Sequence, residues 1–447
     1  MIDVRRRLMT VFALLAFPAS LAAAQEPEKP RSPTPTPNDP SQIEPGTEPE
    51  IKVSLKDGVH FKSADGNFDI ILGGYVGIQY RVVDDRPNDN VRTSPNTWYI
   101  RQARPELSGF IYKDFDFRVQ MDFPTGPAAT DGTLQDCYAG WRYFPEFSLR
   151  VGQFKEPFGQ EQTTPDRFLD FNERSEGDRF TPSRDIGIEA YGTLGGGVMT
   201  YELGWFNGSG RAVLDTNNGK EGAGRVRVQP FALSEDTSLF KYLRLGVAGT
   251  LSSNQNAPAT AFNSNSSYLN INYLTTNAPA TTVLDGTRAR WGGEFTWNYG
   301  PLGLRGEAWR RVDEVDTATL VNKKIRTTAW TGEATWLITG DWKPIEGRVT
   351  PIHPFDPRKG TWGAFELAVR VDRVSISDEI FTLGIANAAG NADTVTGYSF
   401  GLNWYLTRNI RISPNLYWEV FDDPITFANG QKDRHFFGGI LRFQLEF

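Results

Sequence analysis

Between Phe115 and Phe123 the chain changes character at every residue. Phe115, Phe117, Val119, Met121 and Phe123 alternate with Asp116, Arg118, Gln120 and Asp122. Extended backbone sends two such sets to opposite faces of a strand. Burying the second set in a dry core would leave its charges without water or partners. One face must therefore be apolar and the other wet. The same alternation returns in Phe68, Ile70, Leu72, Val76 and Ile78, in Trp291, Phe295 and Trp297, and in Tyr398, Phe400, Leu402 and Trp404. Ile410, Ile412, Leu416, Trp418 and Val420 stand opposite Arg411, Ser413, Asn415 and Glu419. At the end of the chain Phe437, Leu441, Phe443, Leu445 and Phe447 alternate with Arg442, Gln444 and Glu446.

Soluble sandwiches use such strands too, with the apolar face as their core. The number of strands separates the two cases. Roughly sixteen or seventeen runs of this kind fit a barrel wide enough to enclose an aqueous channel. The expected fold is all-β, a transmembrane antiparallel up-and-down barrel of sixteen strands. After the first 24 residues no apolar stretch approaches the ~18 residues of a membrane helix. A hydrophobic share of 39% still suffices for a barrel, because lipid-facing and lumen-facing positions interleave. Turns such as Asp65-Gly66-Asn67, Lys113-Asp114 and Gly195-Gly196-Gly197 punctuate the runs. Longer connections, at 84–96, 124–132, 156–184, 208–222, 253–285, 375–394 and 422–431, come at every second position. Short turns on one side and long loops on the other are expected of such a barrel. Trp98, Trp141, Tyr143, Tyr299, Trp362, Trp404 and Tyr405 lie near strand ends, where interface girdles form.

The amino terminus reads as an export signal. Arg5, Arg6 and Arg7 precede the short apolar run Leu8–Phe17, and Ala22, Ala23 and Ala24 supply a cleavage site before Gln25. Residues 1–24 are then a cleaved signal peptide. Residues 25–50, rich in proline and charge, form a disordered periplasmic leader, and 51–447 form the barrel. That places the chain in the outer membrane of a Gram-negative type of bacterium, in contact with its lipid. The net charge of −7 argues against a nucleic-acid partner. Cys137, the single cysteine, excludes an intrachain disulfide and a thiolate metal cluster. The ending on Phe447 resembles the carboxyl-terminal signal read by barrel-assembly machinery.

Several longer segments carry a family likeness. They are GNFDIILGGYVGIQY (66–80), WYIRQARPELSGFIYKDFDFRVQMDF (98–123) and RVGQFKEPFGQEQTTPDRFLDFNER (150–174), then RWGGEFTWNYGPLGLRGEAWRR (290–311), TGEATWLITGD (331–341), WGAFELAVRVDRVSI (362–376) and GYSFGLNWYL (397–406). Over nearly all of 58–447 the chain resembles the phosphate-selective porins, the O and P porins of Gram-negative bacteria. The Phe-Lys-Glu-Pro-Phe-Gly run followed by Asn-Glu-Arg is the most specific mark. The resemblance implies a homotrimer of sixteen-stranded barrels, each narrowed by an inward-folded third loop. Phe158, Phe168, Leu169, Phe171 and Phe180 support that fold of the loop independently, since a mobile external loop has little use for five large apolar side chains.

The expected permeants are small inorganic anions, phosphate or pyrophosphate among them, passing with weak selectivity. Candidate anion contacts are the inward-parity residues Arg104, Arg118, Arg225, Arg227, Arg288, Arg290 and Arg305, with Lys155, Arg167, Arg174, Arg179 and Arg184 of the third loop and its flanks. Arg370 and Arg411 share the inward parity. Arginine stays charged and its planar donors suit oxyanions. Yet Glu106, Asp116, Asp122, Glu294, Glu307, Glu366 and Asp372 share those walls, so each cation is equally readable as half of an ion pair. One departure from the family stands out. Its phosphate-specific members carry an arginine run in the segment corresponding to 253–285. Here that segment has Asn254, Asn256, Asn263, Asn265, Ser266 and Ser267 and no Lys or Arg. A non-selective general porin is the alternative reading. A barrel enzyme is a further rival, but His60, His353 and His435 fall in no catalytic constellation. No cofactor or metal is expected. A secreted binding module does not explain the last strand, and a plugged 22-stranded transporter needs a longer chain.

Overall fold

The computed structural model describes residues 51–54, 58–83, 96–126, 132–235, 238–279, 281–427 and 430–447. The export signal and proline-rich leader expected over 1–50 lie outside them. Two short strands, β1 (Ile51–Ser54) and β2 (Val59–Ser63), form a hairpin ahead of the barrel. The wall begins with β3 (Phe68–Val83), β4 (Thr97–Ile111), β5 (Phe115–Asp122), β6 (Thr133–Phe144), β7 (Phe147–Lys155), β8 (Arg184–Leu194), β9 (Met199–Phe206), β10 (Glu221–Val228) and β11 (Leu243–Pro258). A small pair, β12 (Ser264–Asn265) and β13 (Asn272–Leu274), sits within the next connection. The wall resumes with β14 (Val283–Tyr299), β15 (Leu302–Asp316), β16 (Lys323–Leu337), β17 (Ala364–Ile376), β18 (Thr394–Tyr405), β19 (Ile410–Thr426) and β20 (Lys432–Glu446).

Each wall strand pairs antiparallel with its neighbours, and β20 pairs back onto β3, so sixteen strands close a barrel. Closure leaves no open edge along the seam, the condition for crossing lipid. The seam runs from Gly438 opposite Val83 to Glu446 opposite Tyr75. Phe447 then exchanges two backbone hydrogen bonds with Gly74, at 3.0 and 3.1 Å. A side chain at Gly74 would meet the Arg104 carbonyl oxygen at 2.4 Å, so glycine lets the strands approach at the end of the seam. Beyond it, Asp69–Leu72 of β3 pair with β2 instead. The hairpin thus occupies the edge of β3 that β20 is too short to cover, and the wall itself starts at Phe68 rather than Ile51.

The alternation has the parity that the sequence demands. Val119 and Met121 are 38% and 39% exposed, while Gln120 and Asp122 are 4% exposed. Phe437, Phe443, Leu445 and Phe447 face out, and Arg442, Gln444 and Glu446 are buried. Three expectations need correction. Tyr405 belongs to no girdle: it is buried and donates its hydroxyl to Glu366 Oε2 at 2.7 Å, because its strand position points inward. The last long loop is shorter than 422–431, because β19 continues to Thr426. The turns opposite the loops are not all short, since 338–363 and 229–242 are long connections between paired strands. No alternation marks such segments, and turn residues read alike on either side of a barrel.

Candidate functional site

The third loop, 156–183, leaves β7 and returns to β8, yet its polar contacts fall on distant walls. The Gln160 amide donates to Glu307 Oε2 of β15 at 2.6 Å, and that of Glu176 to Asp372 Oδ1 of β17 at 2.9 Å. Asn172 donates to the carbonyls of Ser413 (2.8 Å) and Ile440 (3.1 Å). Arg370 holds Glu161 Oε1 at 2.7 Å and the Glu173 carbonyl at 2.9 Å, and Arg411 holds the Leu169 carbonyl at 2.7 Å. Phe158, Leu169, Phe171 and Phe180 are buried. Apolar anchors and satisfied backbone groups together fix the loop in place. It is held against β15, β17, β19 and β20.

The fifth connection spans 259–282, inside the 253–285 segment marked by its polar residues, and its apolar residues matter as much. Phe262, Tyr268, Leu269, Ile271, Tyr273 and Leu274 are all buried. Tyr268 stacks on Tyr417 with ring centroids 4.6 Å apart and donates its hydroxyl to Asp372. The Leu269 amide donates to Glu419 Oε1 at 2.9 Å, and the Ser267 amide to Glu176 Oε2 at 2.7 Å. This connection and the third loop therefore brace each other. At the opposite rim the long turn 338–363 contributes Lys343, which is ion-paired with both Asp170 and Glu366. The same turn places Glu346 near Arg227 (3.1 Å) and beside Arg244, and Arg348 at 2.6 Å from Glu446.

Against β15–β20 the loop is packed; toward β4–β11 space remains. A cavity of about 190 Å³ there is lined by Arg104, Arg118, Lys155, Arg167 and Arg184, five of the twelve candidate contacts. Arg150 joins them, with Asp136, Asp166 and Glu202 as the acidic members. A second cavity of about 240 Å³ shares Thr163, Pro165 and Glu202 with the first and is lined by Arg225, Arg227, Arg244 and Arg305. Its acidic members are Glu202, Glu294 and Glu346. The remaining candidates lie elsewhere. Arg288 and Arg290 both clasp Glu221, at 2.7 and 2.6 Å. Arg174 works inside the third loop, paired with Asp166 and Asp178, and Arg179 donates to the Asn263 carbonyl at 2.6 Å.

Almost every lining cation is engaged. Arg104 lies 2.7 Å from Asp122 and 2.6 Å from Asp166; Arg118 lies 2.9 Å from Glu106. Arg184 pairs with Asp136 at 2.7 Å, and Arg225 with Glu294 at 2.6 Å. Arg167 reaches Glu106 at 3.6 Å, Arg227 reaches Glu202 at 3.9 Å, and Arg305 reaches Asp170 at 3.5 Å. Lys155 donates to the carbonyls of Gln162 and Thr164. Arg150 pairs with Glu189 at 2.7 Å and lies over the Phe154 ring at 4.3 Å. Arg150, Arg244, Lys343 and Glu346 are the site residues that sequence reasoning missed. Arg150 was within reach, since it holds the inward parity between Leu149 and Val151. The two turn residues carried no periodic signal.

Comparison with known proteins places this arrangement. Among curated proteins, Porin O of Pseudomonas aeruginosa is 23% identical over 419 residues, covering 89% of this chain and 93% of that protein. Among solved structures, the outer membrane channel DcaP of Acinetobacter baumannii superposes with a TM-score of 0.55 at 10% identity, covering 88% of this chain and all of that one. OprB of Pseudomonas putida in its high-pH structure gives 0.53 at 13% identity, over 86% and 95% of the two chains. The anion-selective porin from Comamonas acidovorans gives 0.50 at 12% identity, over 85% and 99%. At such identities these structures share the barrel fold. The family model described as phosphate-selective porin O and P spans residues 70–447. It runs from the first wall strand to the terminal phenylalanine, and the chain belongs to that family.

Proposed function

We propose that the chain is an outer-membrane porin through which small inorganic anions diffuse passively, with modest preference over cations. The observation that carries this reading is the charge of the open space beside the third loop. Six cationic side chains line the loop-side cavity of about 190 Å³ against three carboxylates, Asp136, Asp166 and Glu202. The adjoining cavity has four cations against Glu202, Glu294 and Glu346. A wall with excess positive charge lowers the energy of an anion and raises that of a cation. In this reading the third loop and the fifth connection occupy the lumen and set its width, and the turn 338–363 narrows the periplasmic mouth. Family membership and the porin name of the Pseudomonas aeruginosa relative support a channel over an enzyme.

The pairing of these cations argues for weak rather than strict selectivity, with phosphate as one permeant among several. The remaining parts of the reading are a cleaved signal peptide, a leader in the periplasm and assembly through the strand ending at Phe447, all read from the sequence, and a homotrimer in outer-membrane lipid, which the family resemblance implies. The trimer form of OmpT, an outer membrane protein of Vibrio cholerae, superposes with a TM-score of 0.52 at 10% identity, over 85% and 99% of the two chains. The test is the reversal potential of the purified porin in planar bilayers across a potassium chloride gradient. The expected sign is that of chloride exceeding potassium. A potential of the cation-selective sign would overturn the proposal.

A further inference from the structure

Within the turn 338–363, the stretch 343–349 reaches walls that face each other across the barrel. Glu346 lies 3.1 Å from Arg227 of β10 and beside Arg244 of β11, while Arg348 lies 2.6 Å from Glu446 of β20. In the closed wall β10 and β20 are eight strands apart in either direction, so the two contacts are diametrically opposed. In extended backbone residues i and i+2 would point the same way. Gly347, with a φ of 99°, reverses the direction between them, a conformation that favours glycine. The stretch is tied down along its length. Asn298 donates to the Pro344 carbonyl at 2.7 Å, Arg305 donates to that of Ile345 at 3.3 Å, and Val349 is buried with Leu337, Ala364 and Tyr405. It is a fixed strap across the mouth opposite the loops.

The strap divides that mouth unequally. Toward β18–β20 the space beside it is about 20 Å³, bordered by Arg348, Arg411 and Glu446. Toward β9–β11 it is about 240 Å³, bordered by Arg227, Arg244 and Glu346. The wider passage is therefore on the second side, and Glu346 stands in it. Its side chain is 62% exposed, whereas the Arg225–Glu294 pair, one step further from the rim, is 3% and 6% exposed. An ion in the passage meets two guanidinium groups and one carboxylate.

From this geometry we infer that Glu346 is a specificity-determining residue of the channel: carried across the mouth on the strap, it cancels one of the two guanidinium charges met by a passing ion and so holds the anion preference down. The inference rests on the channel reading and assigns one of its controls to a single side chain. With the carboxylate in place the passage carries one net positive charge from these three groups; without it, Arg227 and Arg244 act on the ion together. The ion keeps its water, so Glu346 acts through its field and not by contact. Its influence must then depend on the charge of the side chain rather than its length, and must fade as salt screens it.

The test compares reversal potentials of the full-length porin and its variants in planar bilayers across a potassium chloride gradient, with each variant first shown by heat-modifiable gel migration to be a folded barrel. At about 0.01 M salt, where charges act over ~30 Å, Glu346→Gln should raise the chloride-to-potassium permeability ratio roughly two- to fivefold, the effect of one unit charge acting through several ångströms of water. At 1 M, where the Debye length is ~3 Å, the rise should all but vanish. Glu346→Asp keeps the charge and should stay close to the parent. Glu235→Gln removes the same charge from an exposed residue of the neighbouring turn that does not border the passage, and should leave the ratio where it was. An unchanged ratio in folded Glu346→Gln, or an equal rise in Glu346→Asp, overturns the inference. A cation-selective parent whose Glu346→Gln variant still shifts toward chloride sinks the anion-channel reading and leaves the role of Glu346 standing; an anion-selective parent with no such shift does the reverse.

Discussion

A barrel wall with inward cations has two uses for them, to attract solute or to hold the protein together, and the partner distances show which use dominates. Lys343 is the clearest case of the second. It is 2% exposed and sits between Asp170 of the third loop and Glu366 of β17, with Glu366 also accepting from Tyr405 at 2.7 Å and Asn403 at 3.1 Å. Without the ammonium, two buried carboxylates would face each other. Breaking a buried pair by deleting one partner costs about 3–5 kcal/mol. Lys343→Met should therefore lower the urea midpoint of the barrel refolded in lipid vesicles. The Arg305 guanidinium, 3.5 Å from Asp170, holds the loss toward the lower end of that range. Adding Asp170→Asn should recover part of it. An unchanged midpoint in Lys343→Met would show the cluster to be wet and the lysine idle.

At the scale of the element, strand parity was legible because a two-residue period leaves no freedom. Once Phe115 faces out, Phe117, Val119 and Met121 must follow, and the register of β5 against β4 bears this out with Val119 opposite Leu107 and Gln120 opposite Glu106. The terminal strand was readable for the same reason. The connections were not, since their conformation is set by what they land on. Asn172 is an unremarkable polar residue until it meets the Ser413 and Ile440 carbonyls, more than two hundred residues away in sequence. Tyr268 and Leu269 looked like part of a polar segment, because their apolar partners, Tyr417 and its neighbours, come from another strand. Tyr405 was misplaced for a related reason: an aromatic at a strand end has two faces to choose from, and parity rather than residue type decides. Parity also makes a prediction. Val119→Arg puts a charge on the lipid face and should cost ~2–4 kcal/mol if it lies near the midplane. Gln120→Arg, one residue on, projects into the cavity it already lines and should refold nearly as well as the parent. Equal loss in both variants during refolding into vesicles would show that the assigned parity does not decide which face is wet.

For the molecule as a whole, the question is how far paired cations can discriminate among anions. Strict phosphate selection requires several unshared cations converging where water is scarce, so that the solute replaces its hydration shell with protein donors. Here Arg104, Arg118, Arg184 and Arg225 each already hold a carboxylate within 3 Å. A phosphate would have to compete with Asp122, Glu106, Asp136 or Glu294 for the same donors. The net positive balance of the cavities still biases the field, but a solvated ion feels it through water that screens charges over ~8 Å at physiological ionic strength. The residual field orders ions by sign far more than by identity. The arginine run of the phosphate-specific members is absent from 253–285. Chloride current through the reconstituted porin should therefore stay within about twofold of its starting value when phosphate is added at micromolar concentration. The chloride-over-potassium preference should grow as the salt is diluted, because the Debye length lengthens to ~30 Å at 0.01 M. Micromolar block would instead show that the pairs open to admit phosphate, and would make this barrel a phosphate-specific one despite the missing arginines.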